Sequence, residues 1–184
     1  MFTLITGNEQ KIREFEVVLQ GSGIRFEILR AEKPELRSDD PCEIVKVAAK
    51  TFSERLKKAV VVEDSGLFID ALKDFPGTCT KYVYKRVGNL GILKLMNGVK
   101  NRRCFYKSAV GYCEPEKEPI CFLGEEGGRI ADRERGKSGW GQDRIFIPKG
   151  KSRTYAETRK PGSINEFRKR AIEKLKDYLI LANK

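Results

Sequence analysis

The stretch FTLITGNEQKIREFEVVL, residues 2–19, decides the fold class, because a predicted strand is followed at once by a predicted helix. Phe2 to Thr6 is apolar and of strand length, and Gly7 and Asn8 interrupt it. The residues that follow repeat with helical spacing and place apolar side chains on one face, at Ile12, Phe15, Val18 and Leu19. A strand, a tight turn and a helix in this order predict an α/β protein.

A second helix is predicted to begin after Asp40, because Asp40 can cap it, Pro41 suits its first position and Glu43 can reach back to the cap. The apolar run from Ala59 to Val62 is typical of a parallel strand that is covered on both faces. We expect that strand to end at Glu63-Asp64-Ser65-Gly66, which places two carboxylates at its carboxyl end.

The remaining predicted elements are a short helix, a long antiparallel hairpin, a strand and a last helix opened by a capping box, at residues 89–96, 103–128, 145–147 and 163–178 in turn. The sequence therefore predicts an α/β fold with a mixed, mostly parallel central sheet, a long antiparallel hairpin and flanking helices. A chain of 184 residues is long enough for one apolar core, so we expect residues 1–184 to form a single domain.

The composition limits the chemistry. The chain has no histidine, which excludes a Ser-His-Asp triad and an imidazole metal site and leaves carboxylates, Lys, Arg and the backbone. The five cysteines are scattered without C-x-x-C, so we expect buried thiols and neither a disulfide framework nor a zinc site. Without an apolar tract of about 18 residues or a signal-peptide pattern, we expect a cytoplasmic protein with no membrane partner.

The first candidate site is the turn from Thr6 through Gly7 and Asn8 into the helix. Backbone N–H groups at a helix start attract anions, Gly7 allows close approach, and Lys11 in the first turn can reach a phosphate. An ordinary turn with a solvated lysine explains the same residues equally well. The segment is not a P-loop, because G-x-x-x-x-G-K-[ST] is absent.

The second candidate is the carboxylate pair Glu63 and Asp64, with Ser65 beside it. Mg²⁺ prefers one or two carboxylates together with water and substrate phosphates, and a remaining carboxylate can accept a proton from an attacking water. A polar strand end followed by a turn is the alternative explanation. The isolated acid Glu35 is a weaker candidate of the same kind.

The third candidate is Gly139-Trp140-Gly141-Gln142-Asp143, which carries the only tryptophan of the chain. An indole face can stack on a base, while a nearby carboxylate and the backbone bind its edge; a core-anchoring tryptophan is the alternative. The basic run Arg168-Lys169-Arg170 on the last helix suits either a ligand-facing cation or a solvated helix face.

Taken in order, these segments resemble the inosine triphosphatase (Ham1-like) family, which acts on non-canonical purine nucleoside triphosphates. The resemblance spans nearly the whole chain. The matching segments resemble T-G-N-x-x-K-x-x-E, V-E-D-S-G-L, P-G, F-G-[YW]-D-P-x-F and T-[FY]-A-E, and lie at residues 6–14, 62–67, 76–77, 140–146 and 154–157.

The resemblance implies Mg²⁺-dependent hydrolysis of ITP, dITP and XTP to the nucleoside monophosphate and pyrophosphate, by a homodimer. It implies Asp64 as the proton acceptor, with Lys11 as a second catalytic residue. We expect the metal to be held by Glu35, Glu63 and Asp64. The expected substrate-binding residues are Thr6, Gly7, Asn8, Lys11, Ser65, Trp140, Gly141, Gln142, Asp143, Lys160 and Arg168.

The sequence departs from the family where the base is expected. Gln142 replaces an aromatic residue and Arg144 a proline, and the serine and histidine of S-H-R are missing before Arg168. Lys160 is the nearest match to the lysine that precedes that motif. Two alternatives remain: a pyrophosphatase for modified pyrimidine nucleotides, and a non-enzymatic nucleic-acid-binding module favoured by the net charge of +11. The second leaves the acidic pair unexplained, so we expect no nucleic-acid partner.

Overall fold

The computed structural model describes residues 1–32, 34, 36–160 and 162–182. Its strands are β1 (Phe2–Ile5), β2 (Phe26–Leu29), β3 (Val60–Ile69), β4 (Pro76–Gly77), β5 (Arg103–Cys113), β6 (Ile120–Ile130) and β7 (Phe146–Pro148). Its α-helices are α1 (Glu9–Leu19), α2 (Pro41–Leu56), α3 (Thr80–Leu95), α4 (Tyr155–Thr158) and α5 (Glu166–Ala182), and two 3₁₀ turns lie at Asp70–Leu72 and Gly141–Arg144.

The strands form a mixed sheet in the order β2-β1-β3-β5-β6-β7, with β4 paired to β3. β1 is parallel to both β2 and β3, whereas β4 and β7 run antiparallel to β3 and β6. Strands β5 and β6 are neighbours joined by a short loop, as the predicted hairpin requires. The predicted α/β class, with its mixed sheet, long hairpin and flanking helices, is confirmed.

The chain divides into two compact units, and strands β3, β5 and β6 each contribute to both. Unit 1 comprises residues 1–65, 108–125 and 164–184, and unit 2 comprises residues 66–107 and 126–163. In unit 1, alternate residues of the strands enter two different apolar clusters: Leu4 packs with residues of α1 and α5, and Ile5 with residues of α2. This alternation is the period of two expected for a sheet with helices on both faces. Phe146 of unit 2 packs against Tyr106, with the ring centroids 4.6 Å apart.

Strand β3 is longer than the sequence predicts. We expected it to end at Glu63, but it continues to Ile69, where Leu67 and Phe68 pair with β4. Asp64, Ser65 and Gly66 resemble a turn, but a Cβ at Gly66 would lie 2.1 Å from the carbonyl oxygen of Gly77. Gly66 is therefore needed for a close backbone approach, not for a turn, and the acidic pair lies in the middle of a strand.

Helix boundaries follow the sequence where a cap is present. Asp40 accepts a hydrogen bond from the Cys42 N–H at 2.8 Å and begins α2 as predicted, although Glu43 accepts from the Ser38 hydroxyl and does not reach back. α3 begins at Thr80, but the backbone at Gly88 departs from helical geometry and divides it, so the second helical segment begins at Asn89 as the sequence predicts. The last helix begins at Glu166, two residues after the start that the capping box predicts.

The expectation that all five cysteines are free thiols is wrong. Cys42, at the start of α2, forms a disulfide with Cys121 on β6, and Cys79, Cys104 and Cys113 remain free. The two partners are 79 residues apart in sequence, so their spacing carries no signal that the fold brings them together. Within the described part of the chain, none of the helices combines the length and the apolar character needed to cross a bilayer.

Candidate functional site

The Thr6 to Asn8 turn has the predicted strand-turn-helix geometry. Asn8 caps α1, and its side-chain oxygen accepts from the N–H groups of Gln10 at 2.9 Å and Lys11 at 3.3 Å. The Thr6 hydroxyl accepts from the Asn8 N–H at 3.2 Å. Gly7 and Asn8 are exposed, and a Cβ on Gly7 would meet nothing within 4 Å. An exposed helix start of this kind favours an anion.

The Lys11 ammonium lies against Glu63. Its Nζ is 2.6 Å from Oε2 of Glu63 and donates to the Glu63 carbonyl oxygen at 3.1 Å. The first turn of α1 and the middle of β3 are thus joined by an ion pair whose acidic member is buried. The lysine that the sequence predicts to bind phosphate is held at a fixed position by this carboxylate.

Glu63 is also held from the opposite side. Its Oε1 accepts from the Ser108 hydroxyl on β5 at 2.6 Å and from Nε of Arg168 on α5 at 2.9 Å. Ser108 and Arg168 are completely buried. The carboxylate therefore contacts two cations and a hydroxyl, so it joins α1, β3, β5 and α5 of unit 1.

The guanidinium of Arg168 binds three side chains. Besides Glu63, it donates to Oε2 of Glu14 and, through Nη2, to the Ser65 hydroxyl at 2.9 Å. The other oxygen of Glu14 accepts from Gln10 and from both the backbone and the side chain of Asn165. Two acids and two bases thus form a charge-balanced buried network, in which each member would be costly to leave unpaired.

The network shifts the pKa values of Glu63 and Arg168. Burial raises the pKa of Glu63, but the charges of Arg168 and Lys11 and the hydrogen bonds from Lys11 and Ser108 outweigh it, so the net pKa lies well below the ordinary value. Burial lowers the pKa of Arg168, but Glu63 and Glu14 together have a larger and opposite effect. The net pKa of Arg168 therefore lies above its ordinary value. Both groups are charged at neutral pH, as the ion pairs require.

The acidic pair of β3 is divided between two faces of the strand. Because successive side chains of a strand alternate, Glu63 and Ser65 both reach Arg168, whereas Asp64 lies on the opposite face and is half-buried. Among the described residues, no group of three or more acidic or thiol side chains is placed to hold a metal ion. The third predicted ligand, Glu35, lies outside the described residues.

Asp64 therefore decides whether the described residues can hold a metal ion. A half-buried carboxylate suits Mg²⁺, which takes one or two protein carboxylates and completes its octahedron with water and substrate phosphates. Glu63 fits less well as a direct ligand, because Lys11 lies at its Oε2 and Ser108 and Arg168 at its Oε1. The residues present fit a magnesium ion that is held mainly by Asp64 and the substrate.

The tryptophan loop belongs to unit 2. The indole of Trp140 is 50% exposed, whereas Gln142 and Asp143 are buried. Oδ2 of Asp143 accepts from the Trp140 N–H at 3.1 Å and forms an ion pair with Arg159 at 2.9 Å. The Gly141 carbonyl accepts from the side chain of Asn89 at 3.0 Å. An aromatic face is thus presented to solvent on a loop that is fixed by a buried carboxylate.

The remaining predicted residues fall into the two units. Thr6 to Lys11, Glu63, Ser65 and Arg168 come together in unit 1, with Asp64 on the other face of β3, whereas Trp140 to Asp143 and the exposed Lys160 belong to unit 2. Sequence reasoning did not assign roles to the buried partners of Arg168 and Glu63 or to the partner of Asp143, which are Glu14, Ser108, Asn165 and Arg159. Glu14 had a signal, as the acid of T-G-N-x-x-K-x-x-E; the other three had none.

Known proteins resemble this chain over most of its length. The Ham1 family model matches residues 2–178. The dITP/XTP pyrophosphatase of Methanopyrus kandleri is 48% identical over 152 residues, which cover 83% of this chain and 81% of that protein. The enzyme of the same name from Thermococcus kodakarensis is 38% identical and covers 95% of each chain.

Solved structures agree with this fold. The Staphylococcus aureus Ham1 protein superposes with a TM-score of 0.80 at 26% identity and 100% coverage of both chains. The Coxiella burnetii HAM1 protein has a TM-score of 0.86 at 23% identity, covering 97% of this chain and 98% of that one, and supports the fold alone. By the match of its sequence to the family model and to these relatives, the chain belongs to the Ham1 family.

Proposed function

We propose that this protein hydrolyses non-canonical purine nucleoside triphosphates such as ITP, dITP and XTP to the nucleoside monophosphate and pyrophosphate. The observation that carries the proposal is the buried network of Lys11, Glu63 and Arg168 beside an exposed helix start at Gly7 and Asn8. A membership in the Ham1 family, with relatives named dITP/XTP pyrophosphatase, supports the choice of substrate.

We assign the phosphate end of the substrate to the Thr6 to Asn8 turn and the start of α1. The exposed backbone at Gly7 and the positive end of α1 would attract phosphate oxygens, with the Ser65 hydroxyl as a further contact. Lys11 would stabilise the negative charge on the leaving pyrophosphate from its position against Glu63. Because Glu63 holds Lys11 and Arg168 holds Glu63, the cation is oriented before the substrate arrives.

We assign Mg²⁺ to Asp64 and Glu35, with Glu63 as a neighbouring charge that orients Lys11. Bound Mg²⁺ would neutralise phosphate oxygens and polarise the bond between the α- and β-phosphates. Asp64 accepts the proton of the water that attacks the α-phosphorus. The bond from the α-phosphorus to the bridging oxygen then breaks, and pyrophosphate leaves with that oxygen.

We assign the base end to the tryptophan loop. Trp140 stacks on the purine, and the backbone of Gly141 and Gln142 together with Asp143 and Lys160 bind its edge. Arg168 has its Nε, Nη1 and Nη2 donating to Glu63, Glu14 and Ser65, so we assign it to positioning these side chains and not to the base. Donors placed opposite the 6-oxygen of the base would face another donor when adenine binds, at a cost of about 1–3 kcal/mol each.

The proposal also covers the domain organisation, the oligomeric state and the location of the protein. We propose that residues 1–184 work as one pyrophosphatase domain, because three strands run without interruption through both units. We also propose a cytoplasmic homodimer in which the β5-β6 hairpin supplies the pairing surface. Light scattering tests the dimer, since a monomer at enzyme-assay concentrations would exclude it.

The test of the activity is the release of pyrophosphate from ITP, XTP, dITP, GTP, ATP and CTP, with separation of the products. We expect the nucleoside monophosphate and pyrophosphate from ITP, dITP and XTP, and a rate with ATP that is lower by at least about tenfold. Preferred hydrolysis of CTP would favour a pyrimidine pyrophosphatase. Equal hydrolysis of ATP and ITP would contradict the proposed donor arrangement.

A further inference from the structure

Arg159, which follows α4, forms an ion pair with Asp143 of the tryptophan loop in unit 2. Its side chain is only 8% exposed, and Nη1 donates to Oδ2 of Asp143 at 2.9 Å. The carboxylate of Asp143 is 4% exposed. Removal of one member of a pair that is shielded from water to this extent is costly, because it leaves the other charge buried and uncompensated.

The guanidinium of Arg159 also lies on an aromatic platform. Its central carbon is 4.3 Å from the centroid of the Tyr155 ring, within the range of a cation–π contact. The Tyr155 ring packs on Phe146, with centroids 5.3 Å apart, and its hydroxyl donates to Glu126. The Tyr155 ring therefore restrains Arg159, and contacts with Phe146 and Glu126 restrain that ring.

The same oxygen of Asp143 positions the loop above it. Oδ2 accepts from the backbone N–H of Trp140, and a Cβ on Gly139 would lie 2.3 Å from this oxygen. Gly139 has a φ of +75°, in the region that favours glycine. A continuous set of contacts thus runs from Tyr155 through Arg159 and Asp143 to the backbone of the one tryptophan.

We propose that Arg159 is a positioning residue for base recognition, which acts by holding Asp143 under the Trp140 loop. This inference rests on the proposed function and deepens it. Arg159 keeps the buried Asp143 oriented, and Asp143 keeps the indole at the angle that a purine requires. Without the cation, Asp143 is a buried carboxylate with its charge uncompensated, and it moves toward water or binds a proton. The base then loses its stacking partner, while Lys11 and Asp64 of unit 1 are unchanged.

The kinetic test compares Arg159→Ala, Arg159→Lys and the control Arg153→Ala, which removes the same side chain from an exposed position nearby. For Arg159→Ala we expect the KM for ITP to rise about tenfold or more while kcat stays within about threefold, because binding of the base and not the chemical step is affected. Arg159→Lys keeps the charge but lacks the planar fork, so we expect an intermediate KM. An unchanged KM in Arg159→Ala, or an equal rise in Arg153→Ala, would overturn the inference.

A binding test is independent of catalysis. Trp140 is the only tryptophan, so its fluorescence reports on the loop directly when IMP or CMP is titrated into the protein. We expect IMP to change the fluorescence of the wild type and of Arg153→Ala, with an IMP Kd about tenfold weaker in Arg159→Ala. An identical IMP Kd in both proteins, or a wild type that does not respond to IMP, would overturn the inference. A wild type that binds IMP but releases no pyrophosphate would overturn the proposed function alone.

If Arg159→Ala does not fold, Arg159→Lys carries both measurements. A change of KM and of IMP affinity in a folded Arg159→Lys supports the positioning role, and wild-type values for both contradict it.

Discussion

Nε of Arg168 donates to Oε1 of Glu63 at 2.9 Å, and both side chains are withdrawn from solvent. Glu63 in turn forms an ion pair with Lys11, the residue that we propose contacts the phosphates of the substrate. Arg168 of α5 therefore helps to position Lys11 of α1 through Glu63, although the two helices are far apart in sequence. The candidate phosphate site depends on a buried charge network as much as on the exposed turn.

Removing one charge from this network should be costly. In Glu63→Gln, the cations Lys11 and Arg168 lose a buried negative partner, so we expect the free energy of unfolding at neutral pH to fall by about 3 kcal/mol or more. Denaturant unfolding curves measure this free energy of unfolding. Glu16→Gln, on the exposed face of the same helix as Lys11, is the control and should change stability by less than about 0.5 kcal/mol. Equal stability of the two variants would contradict the account.

The pH dependence of stability follows from the pKa of Glu63. Burial raises this pKa, but the stronger effect of Arg168 and Lys11 leaves it below the ordinary 4.5 in the folded state. The ionised carboxylate therefore stabilises the fold above about pH 4.5, and the contribution is lost as the pH falls towards the folded pKa, because the unfolded chain then binds a proton that the folded chain does not.

We accordingly expect the difference in unfolding free energy between the wild type and Glu63→Gln to be constant from about pH 8 to 5.5 and to narrow below about pH 4.5. Unfolding curves at a series of pH values test this. A difference that widens in acid would show that the sign of the pKa shift is wrong.

The Cys42–Cys121 disulfide should contribute to stability. It closes a loop of 79 residues, for which loss of chain entropy in the unfolded state predicts up to about 4.5 kcal/mol. We expect Cys42→Ser to melt at a lower temperature than the wild type, and reductant to lower the melting temperature of the wild type but not of Cys42→Ser. The control Cys79→Ser, which removes an exposed free thiol, should melt like the wild type. Insensitivity of the wild type to reductant would exclude the bond.

The proposed stacking of the base on Trp140 leads to a separate prediction. Loss of a base–aromatic contact costs about 1–3 kcal/mol, so Trp140→Ala should raise the KM for ITP by about 5-fold to 150-fold, with a smaller effect in Trp140→Phe. Because the indole is half exposed, we expect little loss of stability. Steady-state kinetics with a melting curve for each variant provide the test, and a wild-type KM in Trp140→Ala would remove the tryptophan from the site.

The sequence predicted the elements whose signals are local. The β1 turn into α1, the Asp40 cap and the hairpin strands all depend on periodicity, caps and turns, and the structure confirms them. The sequence could not predict contacts between residues that are far apart in the chain. Ser108 and Asn165 resemble ordinary polar positions until the fold brings them to Glu63 and Glu14.

The error in β3 has a related cause. Ser65-Gly66 is typical of a turn, but here the glycine serves a backbone contact with Gly77, a residue that is close only after folding. The same holds for Arg159, whose partner Asp143 is 16 residues away, beyond the range of any helical pattern. Local rules thus predict the scaffold, and tertiary contacts determine which polar residues are held in fixed positions.

The most direct test of the central claim is the release of pyrophosphate from ITP by the wild type and by Asp64→Asn, each with Mg²⁺ and with EDTA. The exposed Asp177→Asn serves as the control. We predict release by the wild type and Asp177→Asn only when Mg²⁺ is present, and a rate for a folded Asp64→Asn that is lower by at least about 100-fold. Release by Asp64→Asn at the wild-type rate, or undiminished release in EDTA, would contradict the account.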